Sequence, residues 1–574
     1  MGLQAAGSLR MRHFNMIAVA AVAAWMPCVA VGADAAAPKA AVVEPSAPAA
    51  AAAASDKIPA ASAVISPRVA KLPKPEFRKV SGWVKMAISG ASNDVQCHVL
   101  QGIELLLAGW DFEAYRHFCA ALEVDDECLM AHWGVAVALA QPNPEMQVER
   151  DAAVLRMAEL AKRKVGTELE RGYVVCLMIF YRDGAGASAE AFRNLSKQFP
   201  NDPLPAVYAA ILGRNGYGFY GTPKPNQERA ERMLEGWMKR QPENLIVRHT
   251  LAMIRAEAPA EVLAKGLGDV RALCGNSPEM PPYQHLLGHY EYRCGHFHEA
   301  AEAFGRAVAL YDAWMKHDGV SVADCPERTI SESYRCVALA AEGKFDEALT
   351  AAKALAKVPV DPKRAGAPGT RALLWEARSL PARLLLAHRH KGDAKAGLAT
   401  LPKPGDPQLL PEKSDARYDY QGLVALLEGY NALDEGDLDR ARKLAAALAM
   451  HGAQMAKRQR QATAQGEIAD WGRAIEALQI QGTAFRGDIS MAGPKADRGS
   501  AYNWYLAAAE RQHPAAMLMP PTVLEPMRVR VADYLRAAGR SEKAAETYRD
   551  VLREWPGNLR ALQGLKALQG KKSK

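Results

Sequence analysis

Apolar and small residues recur along most of this chain at the spacing of one helix face. The clearest stretch is a glycine, Gly295, followed by Phe297, Ala300, Phe304 and Ala307. Residues three and four apart lie on the same side of an α-helix, so this stretch predicts a helix with one apolar face. The glycine before it predicts a turn from an earlier helix, because glycine readily adopts the left-handed conformation that ends many helices. The unit is therefore predicted to be a helix-turn-helix hairpin.

The same pattern is repeated elsewhere in the chain. Four further copies occupy residues 109–121, 343–355, 436–448 and 539–556. No stretch shows the sustained alternation of apolar and polar residues that predicts β-strands. The sequence therefore predicts an all-α fold built from stacked hairpins, which is an α-solenoid.

These residues resemble the tetratricopeptide repeat, in which a glycine-containing turn joins two closely packed helices. Leu287 and Gly288 match the Leu-Gly pair of the repeat's first helix, and residues 295–307 follow at the family's spacing. The resemblance implies a superhelix with a concave groove, and it implies no catalytic residue. The central copies lie further apart than the repeat length of about 34 residues, so longer helices or inserted loops are expected there. Three stretches make the chain similar to exported bacterial tetratricopeptide-repeat proteins: 101–139, 282–300 and 556–560.

The N-terminus carries the pattern of an export signal. Arg10 and Arg12 precede an apolar run, residues 16–31, which ends in small residues at Gly32 and Ala33. This pattern predicts a cleavable signal peptide over residues 1–33. The apolar run is shorter than the roughly 20 residues that span a bilayer, so stable membrane insertion after cleavage is not expected. A retained anchor is the alternative. The protein is predicted to be periplasmic or secreted.

Composition divides the rest of the chain. Residues 34–79 are rich in alanine and proline and predict a disordered linker, because such a segment buries too little apolar surface to fold. Residues 80–570 form the predicted helical repeat domain, and residues 571–574 form a basic tail.

The net charge of +8 over 574 residues is small, so no nucleic-acid partner is predicted. The eight cysteines after residue 34 lack the C-x-x-C spacing of metal and redox centres, and they fit either core positions or disulfides.

The first candidate site lies in the best-matching repeat. His285 and His289 are four residues apart and share one helix face, at a spacing that a metal ion can bridge. The resemblance places these two residues, with Tyr292 and Arg293, on the inward, concave surface. Three alternatives fit them: a metal site, a polar patch that contacts a ligand or peptide, and ordinary helix packing. Because the sequence identifies no third ligand, it predicts no metal or other cofactor.

A second candidate is the loop over residues 214–225, where glycines alternate with Tyr217, Phe219 and Tyr220. Glycines permit sharp backbone turns and aromatic rings offer large contact areas, a combination found in binding loops. The alternative is an inserted loop whose rings pack over the neighbouring repeat. Both alternatives remain open on the sequence.

The inward positions of the other copies are apolar or small. A clamp for the carboxylate end of a peptide, a known use of this repeat family, is therefore not supported. Packing against another segment or an apolar partner is favoured instead. The sequence thus predicts a non-enzymatic protein- or peptide-binding scaffold of the bacterial cell envelope. The alternative is a metal-dependent enzyme or metal-binding module that uses His285 and His289. The apolar or small inward positions of the other copies, named at the start of this paragraph, are Val99, Ile103, Leu106, Leu107, Ser333, Val337, Ala340 and Ala341.

Overall fold

A computed structural model describes residues 61–79, 82–141, 143–218, 221–403, 405–410, 412–461, 465–495 and 497–569. The predicted signal peptide, the first part of the predicted linker, the basic tail, Phe219 and Tyr220 lie outside these ranges. Within them the chain folds into 24 α-helices, a π-helix and short 3-10 turns, with isolated β-bridges and no β-strand. Nearly all helices that are adjacent in sequence pack against each other. The predicted all-α solenoid of tetratricopeptide-like hairpins is confirmed.

The N-terminal third contains nine α-helices that surround a core rich in aromatic residues. Trp133, Tyr173 and Tyr208 meet edge to face there, with ring centroids 5.4 to 5.8 Å apart. The helices are α1 Asn93–Ala108, α2 Asp111–Val124, α3 Leu129–Ala138, α4 Gln147–Lys162, α5 Glu168–Asp183, α6 Ala185–Gln198, α7 Leu204–Gly213, α8 Pro225–Arg240 and α9 Leu245–Ile254.

The central third contains the best-matching hairpin and an irregular stretch. A π-helix, Leu373–Ala377, lies between α15 and α16. The helices are α10 Ala260–Asn276, α11 Pro281–Arg293, α12 Phe297–Asp318, α13 Pro326–Glu342, α14 Phe345–Leu355, α15 Pro368–Ala372, α16 Leu380–His388 and α17 Asp393–Thr400.

The C-terminal third contains long helices and then the last repeat. Helix α19 has 22 residues and α20 has 25, and α12 in the central third also has 22. The wide spacing of the central copies is thus taken up partly by longer helices. The helices are α18 Arg417–Asp434, α19 Leu438–Gln459, α20 Ile468–Ala492, α21 Arg498–Arg511, α22 Met527–Ala537, α23 Ser541–Glu554 and α24 Leu559–Gln569.

The α11–α12 hairpin shows why glycine is needed at two points. Gly295 adopts a left-handed conformation with φ of 82°, which reverses the chain between the helices. A Cβ atom there would also lie 2.5 Å from the carbonyl oxygen of Pro556, so the last repeat packs directly on this turn. Within the hairpin, a Cβ atom on Gly288 would lie 2.8 Å from the ring of Phe304. The helices approach each other this closely because Gly288 has no side chain.

Residues 61–79, which the composition assigns to the disordered linker, pack against the helical body. The backbone N–H of Ser66 donates to the hydroxyl of Tyr115, and that hydroxyl donates to the carbonyl of Val64. Val64 is fully buried in the core. The folded part therefore begins earlier than residue 80. The physical reason is that a few apolar residues, placed against α2 and α4, bury surface that the average composition of the segment does not reveal.

Two other expectations can be compared with the described residues. All eight described cysteines are free thiols, and six of them are buried. No described helix combines the length and the apolarity needed to cross a membrane.

Candidate functional site

A segment of the chain itself fills the central groove. Residues 512–526, here called the groove segment, connect α21 to α22 without helical structure. Side chains from α11, α13, α16 and α20 contact its main chain. Each of these is the first helix of a hairpin, and the resemblance to the repeat places first helices on the concave surface that a solenoid creates. The inward face at the centre of the solenoid is therefore occupied rather than open.

The groove segment is held through its carbonyl oxygens. His285 lies 2.8 Å from the Met517 oxygen, Arg293 lies 3.2 Å from the Ala515 oxygen, and the Tyr334 hydroxyl donates to the Ala516 carbonyl. Further along, Arg473 donates to the Pro520 carbonyl over 3.1 Å, and Arg383 donates to the Pro521 carbonyl over 3.2 Å. Contacts of this kind recognise the main chain and are largely independent of the side chains of the bound segment.

His285 links the groove segment to α13. Its Nε2 donates to the Met517 carbonyl, and its Nδ1 lies 2.9 Å from the hydroxyl of Ser331, which donates to it in this tautomer. Burial lowers the pKa of His285 to about 4, because the charged form loses its hydration. The ring packs edge-on against Phe304 and Tyr334. His285 is thus a neutral, fixed hydrogen-bond donor.

His289 and Arg293 hold the connection between α9 and α10. The Nε2 of His289 donates to the Ala256 carbonyl over 2.7 Å, and burial lowers the pKa of this residue well below its ordinary value. The Arg293 guanidinium donates to the carbonyls of Ala256 and Ala258 as well as to the groove segment. It therefore ties the groove segment to the preceding repeat.

The structure assigns these predicted site residues to internal contacts. His285, His289 and Arg293 are buried, and Tyr292 is half-buried against Tyr334. Among the described residues, no third His, Cys, Asp or Glu groups with the two histidine rings. The metal alternative at His285 and His289 therefore has no structural support. Contact of the four residues with a partner remains a prediction, and for His285 and Arg293 it requires that the groove segment first leave.

Glu376 positions the two arginines that hold the proline end of the groove segment. It lies in the π-helix, a distortion that often occurs at functional positions. Its carboxylate accepts from Arg383 and, over 3.2 Å, from Arg473. Glu376 is 0% exposed and Arg383 is 4% exposed. Because both guanidiniums also donate to the groove segment, this buried ion pair fixes where Pro520 and Pro521 lie.

Two further carboxyl groups lie beside this ion pair. Burial raises the pKa of Asp419 to about 7 and that of Asp470 to about 6. The nearby Arg383 and Arg473 lower the pKa of Asp419, but the loss of hydration is larger. Both carboxyls line a small cavity with Thr522 of the groove segment. The wall of the groove therefore contains carboxyl groups that change charge near neutral pH.

We expect the substitution Asp419→Asn to stabilise the protein at pH 8. The folded-state pKa is raised above the ordinary value of about 4, so folding favours the protonated form. The stability that folding gains from protonated Asp419 is complete below about pH 4, and it is lost as the pH rises through about 7. Asparagine stays neutral, so the variant should show a higher Tm than the wild type at pH 8 and a flatter dependence between pH 5 and 8.

Thermal unfolding at pH 5, 6, 7 and 8 tests this expectation. Asp439→Asn is the matched control, because the Asp439 side chain is 85% exposed. If Asp419→Asn and the wild type depend equally on pH, Asp419 does not carry the effect.

Only part of the second candidate loop can be described. The hydroxyl of Tyr217 donates to Glu231 over 2.6 Å, and Tyr217 forms an isolated bridge with Pro223. These contacts agree with the alternative in which the loop packs over its neighbour. Phe219 and Tyr220 lie outside the described residues, so their predicted role in binding stays a prediction.

Sequence reasoning missed Tyr334, Glu376, Arg383 and Arg473. None of them belongs to a motif, and each acts through a partner far away in the chain. One signal was present, because the apolar inward positions favoured packing against another segment.

Comparison with known proteins gives likenesses in solved structures alone. No family model matches the chain, and no curated protein matches it. The human IFIT1 dimer with m7Gppp-AAAA is 13% identical with a TM-score of 0.33, and the match covers 85% of this chain and 91% of that chain. Yeast Tom70 is 10% identical with a TM-score of 0.28, over 84% and 90%. The P58(IPK) TPR domain is 12% identical with a TM-score of 0.19, over 84% and 99%. Similarity this low carries no argument about function.

Proposed function

We propose that the protein is a non-enzymatic scaffold of the bacterial cell envelope that binds an extended segment of a partner protein in its central groove. The observation that carries the proposal is the groove segment itself. Five side chains from four helices hold its main chain through the carbonyl oxygens: His285, Arg293, Tyr334, Arg383 and Arg473. A groove that recognises carbonyl oxygens also fits a segment of similar shape from another chain.

The groove segment acts as an internal competitor in this proposal. A tethered segment has an effective concentration in the millimolar range, so it occupies the groove whenever no stronger ligand is present. A partner's apparent affinity is then reduced by the fraction of molecules whose groove is free. Partner binding is therefore coupled to release of residues 512–526.

The envelope location rests on the basic, apolar and small residues of positions 1–33, which have the order of a signal peptide. The absence of a nucleic-acid partner rests on the small net charge. A non-enzymatic role is supported by the contacts of His285 and His289, whose Nε2 atoms both donate to carbonyls. While the groove segment is in place, neither Nε2 atom is available for catalysis.

Emptying the groove should create a measurable peptide-binding site. Residues 513–525 would be replaced by a glycine-serine linker of the same length, and a fluorescent peptide of residues 512–526 titrated by anisotropy. We expect saturable binding to the emptied variant, at least about tenfold tighter than to the intact protein, because the internal competitor is gone.

Two substitutions in the emptied variant identify the site. Tyr334→Phe removes the hydroxyl that contacts the segment and should weaken peptide binding about fivefold or more, as expected for a lost buried hydrogen bond. Tyr502→Phe is the control, because it removes the same hydroxyl from a tyrosine whose ring packs on Tyr534 of α22. Equal peptide binding by intact and emptied proteins, or none by a folded emptied variant, would contradict the proposal.

A further inference from the structure

The turn between α16 and α17 brings three metal-ligating side chains together. His388, His390 and Asp393 each offer a ligand atom, and these atoms all lie within 4.8 Å of one another. The Nδ1 of His388 lies 2.8 Å from a carboxylate oxygen of Asp393. The two imidazole rings are 3.8 Å apart between centroids. Neither the groove nor the export pattern uses these residues.

Backbone conformation explains why the ligands converge. Helix α16 ends at His388, and Arg389 then adopts a left-handed conformation with φ of 60°, which is uncommon for a residue other than glycine. Gly392 is also left-handed, with φ of 92°. Two such reversals within four residues fold the chain back, so that Asp393, the first residue of α17, returns to His388.

Neighbouring helices hold the turn in this shape. The ring of Phe345 stacks on His388 with centroids 3.7 Å apart and an interplanar angle of 9°. Asp434 of α18 accepts from the N–H of Gly392 over 3.0 Å. Asp393 in turn accepts from the N–H of His390 over 2.7 Å. The ligands are thus pre-arranged by contacts within the turn and with neighbouring helices, which reduces the entropy lost when an ion binds.

Charge at the turn is compatible with a cation. The guanidinium of Arg389 turns away to Asp488, 3.0 Å distant, and lies over the ring of Tyr430. Lys391 is exposed to solvent. The side chain of His388 is 28% exposed and that of Asp393 17%, so a hydrated ion reaches them directly from solvent.

We propose that this turn binds a divalent transition metal, with Zn²⁺ as the preferred ion, through His388, His390 and Asp393. Two imidazole nitrogens and one carboxylate oxygen form a ligand set that suits Zn²⁺ and related ions, whereas Ca²⁺ and Mg²⁺ prefer oxygen ligands alone. Three protein ligands leave the fourth position of tetrahedral Zn²⁺ open. Water or a side chain of a bound partner completes the coordination.

Calorimetric titration of the untagged, full-length protein with ZnCl₂ tests the site. We expect one Zn²⁺ per chain, and a loss of affinity of at least about tenfold in His390→Ala and in Asp393→Asn, since even outer-shell changes cost that much. Titration with Co²⁺ should give the visible absorption of a four-coordinate ion, which His390→Ala removes. His390 is exposed, so its substitution leaves the fold intact, and circular dichroism checks this.

A matched histidine separates the site from nonspecific binding. His298 lies 3.4 Å from Glu302 and 3.2 Å from Glu342 but has no second histidine in its cluster. His298→Ala should therefore bind Zn²⁺ like the wild type. Unchanged affinity in His390→Ala, a loss in His298→Ala, or no Zn²⁺ binding by the wild type would each overturn the proposal. Binding that persists in His390→Ala would point to the free thiols instead.

Discussion

Replacing Arg293 by alanine is expected to lower the free energy of unfolding by at least about 3 kcal/mol, because two buried carbonyls lose a charged donor and each such hydrogen bond contributes about 1.5–3 kcal/mol. The buried guanidinium donates to the carbonyls of Ala256, Ala258 and Ala515. With alanine at position 293, the carbonyls of Ala258 and Ala515 lose the guanidinium donor in a buried region. The groove segment should also become mobile, since one of its anchors is lost.

Urea unfolding measures the first effect, and hydrogen exchange of residues 512–526 measures the second. Arg306→Ala is the control: Arg306 donates to Gln284 over 3.1 Å, but half of its side chain is exposed. The control should stay within about 0.5 kcal/mol of the wild type. If Arg293→Ala keeps both the wild-type urea midpoint and the wild-type hydrogen-exchange protection of residues 512–526, the Arg293 anchor is dispensable.

The Arg293 result also determines how binding experiments are interpreted. If Arg293→Ala abolishes partner binding, that result does not show that Arg293 contacts the partner, because the substitution first disturbs the groove. Tyr334→Phe in the emptied variant changes one hydroxyl and is the sharper probe of the binding surface.

Replacing Glu376 by alanine is expected to cost about 3–5 kcal/mol of stability, as found when one partner of a buried ion pair is removed. The substitution leaves Arg383 buried without its carboxylate and takes from Arg473 one of its acceptors. Glu376→Gln keeps the shape and one acceptor, so it should fall between the wild type and the alanine variant. Burial is the main cause of the raised pKa of Asp419, and the negative charge of Glu376 adds to it. Without Glu376 that addition disappears, so the pH dependence that Asp419 contributes to stability should shift to lower pH.

Chemical denaturation of the two Glu376 variants at pH 7 provides the test. Asp439→Ala removes an exposed partner of Arg442 and should change stability by no more than about 0.5 kcal/mol. A loss below about 1 kcal/mol in Glu376→Ala would mean that the ion pair does not fix the wall of the groove.

The repeat pattern predicted the hairpins well. Gly295, Gly343 and Gly436 all have positive φ at the predicted turns, and α12, α14 and α19 begin within two residues after them. These features depend on backbone preferences and on periodicity within one or two helical turns. A single sequence carries that information directly.

The candidate site was predicted less completely. The resemblance to the repeat predicted the inward direction of His285, but it did not predict that His285 is buried under another segment. Its partner Met517 lies 232 positions further along the chain, and the Ala515 carbonyl that meets Arg293 lies 222 positions away. No local pattern encodes a contact over such separations.

The sequence by itself determined the helices, the turns between them and the all-α repeat architecture, because these follow from short-range sterics and from the spacing of apolar residues. Only the tertiary structure decided which surfaces are open. It filled the groove with residues 512–526, buried His285 and Arg293, and brought His388, His390 and Asp393 together in one turn. The physical reason is that burial and hydrogen bonding depend on which distant segments meet in space.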